Sequence, residues 1–156
     1  MTATARTTPV GTPLVAPIPC KVAFAEDPDI ALWEVEVTPP GLEMGEPIDI
    51  TTMWNLVLKT FSPPVLATAT PCQCQGAYDP QCYDQFLAIR GVNGWITVHL
   101  PDGSCVNFVG YLKTFQPAGM AAGSNTQPRA AFTIQPTNQL ANVETEIEYS
   151  ATGTGT

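Results

Sequence analysis

Apolar and polar residues alternate over much of the chain, and the alternation has the period of a strand. In LWEVEV, Trp33, Val35 and Val37 interleave with Glu34 and Glu36, which predicts one buried and one wet face. KVAFA, the run Ile48 to Phe61, VLATATPCQCQGA, GWITVHL, SCVNFVGYLKTF and RAAFTIQ are likewise rich in β-branched and aromatic residues. Asp-Pro, Pro-Pro and Pro-Asp-Gly punctuate them. The clearest pair is WITVHL-PDG-SCVNFVGYL: Ile96, Val98 and Leu100 share a face that Val106, Phe108 and Leu112 can meet across a short turn.

One segment breaks the strand pattern. In AYDPQCYDQFLAIRG, Asp79 suits a helix N-cap and Pro80 the first helical position. Arg90 then falls in the last turn, and Gly91 is a left-handed stop. Cys82, Tyr83, Phe86, Leu87 and Ile89 would form the apolar side. The whole predicts a mainly β protein, a β-sandwich with one flanking α-helix and extended termini. Residues 1–19 are a proline- and threonine-rich arm, 20–138 the folded domain, and 139–156, ending in SATGTGT, a flexible tail.

Composition narrows the function. A chain of 156 residues, 44% apolar, can bury one core, and no apolar run approaches the ~20 residues of a membrane span. Prolines at 9, 13, 17 and 19 interrupt the N-terminus, which does not read as a signal peptide, so a cytoplasmic start is expected. The net charge is −8, and Glu26, Asp27, Asp29, Glu34, Glu36, Glu43, Glu46 and Asp49 fall in one stretch without a Lys or Arg. Phosphate binding needs the opposite sign. Two readings stay open for these acids: a solvated face, or a surface built not to hold DNA.

The search for chemistry yields little. Five cysteines, Cys20, Cys72, Cys74, Cys82 and Cys105, show no paired spacing. Cys72 and Cys74 are too close for a zinc knuckle without help from Cys82, Cys105 or His99. His99 and Cys105 can be cross-strand neighbours, but no orienting group or oxyanion hole accompanies them. Neither a catalytic residue, a metal nor a cofactor is expected. A small metal-binding module or enzyme built on Cys72, Cys74, Cys105 and His99 is the alternative furthest from this reading.

Two other stretches read as contact surfaces. Thr52, Met53 and Trp54 lie at a loop or strand end, where an aromatic and a Met suit an interface, core packing of Trp54 being the other possibility. Pro117, Ala118, Gly119, Met120, Ala121, Ala122 and Gly123 form an uncharged loop of small side chains. Such a loop allows close approach of a neighbour at little desolvation cost. A bare hairpin tip without a partner is its plainer reading.

The pattern G-Y-L-x-x-F-x-P, a Gly- and Ala-containing loop, then Q-P-R-A-x-x-x-I-x-P-T-N resembles the C-terminal half of tail tube proteins of long-tailed bacteriophages. KVAFAEDPDIALWEVEVTPPGLEMGEPIDITTM and AYDPQCYDQFLAIRGVNGWITVHLPDGS match the same family in order, so the resemblance runs from about Lys21 to Asn138. It implies a structural virion protein that forms hexameric rings. The rings stack into a hollow tube through which DNA passes without specific binding, in the company of tape measure, terminator and distal tail proteins. A capsid decoration or tail terminator protein is the nearest alternative. The proline-rich start, the PCQCQ pair and the TGTGT end lie outside the family pattern.

Overall fold

The computed structural model describes residues 20–26, 33–78, 80–123 and 125–151. In chain order the strands are β1 (Lys21–Phe24), β2 (Trp33–Thr38), β3 (Leu42–Met44), β4 (Ile48–Asp49), β5 (Phe61–Ser62), β6 (Ala67–Ala69) and β7 (Cys72–Ala77). The helix α1 (Gln81–Ala88) follows. After it come β8 (Gly94–His99), β9 (Cys105–Pro117), β10 (Arg129–Pro136), β11 (Gln139–Leu140), β12 (Val143–Glu144) and β13 (Glu148–Ser150). The protein is mainly β with one helix among the described residues, as its patterning predicts, and that helix is not long and apolar enough to cross a membrane.

Seven of these strands make one antiparallel sheet in the order β1-β8-β9-β10-β7-β2, with β13 beside β9. The sheet curls until its ends meet. Phe24 on β1 and Phe132 on β10 are well separated in that order, yet their ring centroids are 6.2 Å apart. The Val22 amide of β1 donates to Glu34 Oε1 of β2 at 3.1 Å. Opposite halves of the curled sheet therefore face each other as the layers of a sandwich do, and Val22, Cys72, Val98, Phe108 and Ile134 fill the space between them.

The predicted β8–β9 hairpin is present, with Ile96 opposite Phe108 and Val98 opposite Val106. Gly103, at φ +84°, takes the left-handed position that ends its three-residue loop, and Asp102 accepts the Ser104 amide at 2.9 Å. Leu112 instead pairs with Ile134 of β10.

The helix closes one end of the core. Phe86 stacks on Phe115 at 4.5 Å and also meets the rings of Phe132 and Phe24. Its ends differ from expectation. Asp79 lies outside the described residues, Pro80 is the N-cap without a side-chain bond, and Arg90 sits beyond the last turn, bridging Leu112. Gly91, at φ +71°, does provide the left-handed stop. The apolar side is narrower than the sequence suggests: Phe86 and Ile89 are buried while Tyr83 and Leu87 remain substantially exposed. A two-turn helix laid across the mouth of a curled sheet can insert only the residues on its innermost line.

Three further expectations need correction. In β2 a bulge between Glu34 and Glu36 sets two residues against one on β7, which reverses the alternation. Val35 is therefore exposed, and Glu34 turns toward β1 instead of sharing a wet face with Glu36. The run Ile48 to Phe61 is not one strand but two short strands with a turn between them. Residues 139–150 are not a free tail: β11 and β12 form a hairpin, and β13 adds Glu148–Ser150 to the sheet along Cys105–Asn107. Free backbone groups on β9, left unpaired where β10 ends, explain that last pairing.

Candidate functional site

Residues 42–69 leave the sheet as a hairpin arm. β3 pairs with β6 and β4 with β5, so the chain runs out through Leu42 and Ile48 and returns through Phe61 and Ala69. The turn at its tip is held by short polar side chains. The Thr52 amide donates to Asn55 Oδ1 at 2.9 Å, Asn55 Nδ2 to Thr60 Oγ1 at 2.7 Å, and the Thr60 amide to Thr51 Oγ1 at 3.0 Å. With the Asn55 amide on the Thr52 carbonyl, these bonds tie the two sides of the tip together.

That clasp leaves the apolar side chains with nothing among the described residues to cover them. Met53 is 95% exposed, Trp54 89% and Leu56 92%, and Val57, Leu58, Val65 and Leu66 are similarly open. Scattered exposed leucines are ordinary, but a contiguous run carrying a Trp and a Met is the composition of an interface core. Trp54 therefore does not pack into this chain's core. Leu56, Val57 and Leu58 escaped the sequence reading because NLVLKTF has the composition of a strand; the signal for a tip was the Thr52–Asn55 turn spacing.

The second contact stretch lies elsewhere. Pro117 ends β9, the Ala118 amide donates to the Arg129 carbonyl at 2.7 Å, and Gly119 to Gly123 form an exposed loop with Met120 more than half open. A shallow depression between this loop and Gln75 separates it from the sheet. Thr52, Met53 and Trp54 are on the arm, so the two stretches belong to different elements.

The acids do not form one surface. Glu43, Glu46 and Asp49 are exposed on the arm, where Asp49 accepts the Thr51 amide at 2.9 Å and lies 3.9 Å from Lys59 Nζ. Hydrogen bonds from Thr51 hold the Asp49 carboxyl below its ordinary range. Glu36 is exposed on the outer side of β2, opposite Gln75. Glu26 lies over Gly94, where a side chain would collide with it. Glu34 is half-buried at the β1–β2 seam; burial raises its pKa, opposed by the Val22 amide. Asp27 and Asp29 lie outside the described residues.

Three thiols, Cys72, Cys74 and Cys105, are packed into the fold, Cys20 is partly buried, and the Cys82 side chain lies outside the described residues. Cys72 and Cys74 point inward from β7 with sulfurs 3.8 Å apart, and their shared hydrogen bond lowers the pKa of Cys72 and raises that of Cys74. Cys105 is fully buried opposite His99. No group of three or more His, Cys, Asp or Glu among the described residues is arranged to hold a metal ion.

No protein-family profile and no curated protein sequence matches the chain. Solved structures do. A chain from the tail of an empty GTA particle with C6 symmetry aligns over 77% of this chain and 84% of its own, at 12% identity and a TM-score of 0.55. A chain from the sheath/tube terminator of the PVC extracellular contractile injection system aligns over 92% and 100%, at 13% identity and 0.62. One from the PVC sheath-tube complex aligns over 87% and 91%, at 14% identity and 0.59. The fold is thus one shared by chains of tails and contractile injection systems.

Proposed function

We propose that this chain is a structural subunit of a phage-type tail tube, assembling as hexameric rings that stack around a channel for DNA. The arm carries the reading: a chain with a filled core of its own also holds Met53, Trp54 and Leu56 out in solvent on a hydrogen-bonded hairpin. Covering those side chains requires another molecule. The likeness of fold to chains of a C6-symmetric tail and of a sheath-tube complex supports another copy of the subunit as that molecule. A contact made by an arm with a different surface of its neighbour is heterologous, and such contacts close into rings or propagate along an axis.

Chemistry points the same way. The buried thiols and the hairpin histidine act as packing groups, and the subunit is structural, not enzymatic. A net charge of −8 per subunit disfavours phosphate binding, which suits a conduit from which DNA must slide free. Tape measure, terminator and distal tail proteins are the expected partners, the virion tail the destination, and the host cytoplasm the place of assembly.

A terminator role is the second reading, favoured by the likeness to a chain in the structure of the PVC sheath/tube terminator. Negative-stain electron microscopy of the concentrated protein separates the two. A tube subunit gives long hollow filaments of uniform bore; a terminator gives discrete rings. A chain that stays monomeric at all concentrations contradicts both.

A further inference from the structure

We propose that the outer face of α1 and the strand beside it receive the arm tip of a neighbouring copy, an assignment that rests on the tube-subunit reading. Tyr83 and Leu87 lie one turn apart on the helix, and Arg90 follows just beyond its last turn. Tyr83, Leu87 and nearby Val92 are all substantially exposed. The bridge between Arg90 and Leu112 sets Lys113 close by in the fold, so two exposed cations lie near one end of the apolar pair. Tyr83 is also braced from below, edge-on to Phe115 at 5.6 Å. That contact fixes the Tyr83 ring as one firm point of the strip.

The arm has the complementary character. Behind its apolar tip it carries Glu43, Glu46 and Asp49 against Lys59. Laying Trp54 and Leu56 on Tyr83 and Leu87 would bring the arm's acids toward Arg90 and Lys113. Exposed Asp84 lies about 100° round the helix from Tyr83 but only about 60° from Leu87, so it borders the strip and offsets part of this attraction. Glu26, near Gly94, lies on the Val92 side of the strip.

The competing receptor is the groove between the arm base and the C-terminal segment, bordered by Leu42, Leu66, Phe108 and Ile147. Glu144 and Glu146 line it, and no Lys or Arg does. An acidic arm entering it meets like charge, which costs affinity and slows encounter. Charge therefore decides for the helix face.

Two measurements on the full chain test this under conditions where the unmodified protein assembles. A benzophenone amino acid in place of Leu56 is irradiated and the adduct mapped by mass spectrometry; an intermolecular adduct within residues 83–92 or on Leu112 or Lys113 is expected. An adduct within 65–69 or 136–147, or assembly with no intermolecular adduct on the helix face, overturns the proposal and leaves the tube reading intact. In parallel, Arg90→Glu with Lys113→Glu should cut sedimentable polymer by about tenfold or more at unchanged monomer melting temperature. Adding Glu43→Lys and Glu46→Lys should restore it. Undiminished polymer in the first variant, or no recovery in the second, overturns the proposal. An unmodified chain that never leaves the monomer overturns the tube reading and the docking site with it.

Discussion

At the scale of single residues, Glu34 shows how one displaced position changes a role. Alternation puts it in water beside Glu36, but the bulge turns it to the β1–β2 seam, where its Oε1 holds the Val22 amide. Burial raises its pKa from the ordinary 4.5, so the native state binds this proton more tightly than the unfolded chain. Its stabilising contribution is complete at pH below about 4.5 and is lost as pH rises through the folded value. Urea unfolding from pH 4.5 to 7 should show a falling contribution that Glu34→Gln removes, since the amide keeps an acceptor for Val22 but carries no charge; an unchanged slope contradicts this. Ala141 offers a second test. It sits at φ +50° beside Asn142 at φ +65° in the two-residue turn between β11 and β12. Ala141→Asn should stabilise by a few tenths to about 1 kcal/mol, read as a higher melting temperature, because Asn tolerates the left-handed region better.

At the scale of elements, the arm and the 117–123 loop are separate and can be tested apart. Leu56→Asp on the arm should leave the monomer's melting temperature unchanged and abolish sedimentable polymer, because the residue touches solvent in the chain and, in the proposed tube, a neighbour. Gly119→Arg tests the loop in the same way, by placing a charge on an exposed tip. If the loop is a contact, that variant also remains monomeric; normal tubes would make it a bare hairpin tip. Phe108→Ala is the contrasting control. Its side chain is buried among Ile96, Val106 and Ile134, and its loss should lower folding stability by roughly 3–5 kcal/mol.

For the whole molecule, the distribution of charge matters more than its total. The stretch Glu26 to Asp49 is continuous in sequence, but folding disperses its described acids over the arm, the seam, the outer sheet and the β8 end. In the proposed conduit, repulsion of DNA would rest on the net −8 and on the scarcity of cations, not on one acidic wall. Assembled protein should give no retarded duplex DNA in a gel at about 0.15 M salt. Tight, salt-sensitive binding by the unmodified protein would contradict the conduit role.

The sequence by itself determined the class, the helix, the β8–β9 hairpin and the absence of a legible catalytic motif. Each depends on signals a few residues long: alternation, a Pro at a helix start, a Gly at a stop, Pro-Asp-Gly at a turn. Residue order also carried the family resemblance, since the segments stand in the right sequence even where each is weak. Met53 and Trp54 were legible as contact candidates, but their exposure was not. A bulge, a curled sheet and an arm are decisions about which strands find each other across the chain. The phase of β2 depends on its register with β7, and the docking of β13 on where β10 stops pairing. Only the tertiary structure shows that the core closes without Leu56, Val57 and Leu58, because burial is a property of the space other residues leave, not of the residue itself.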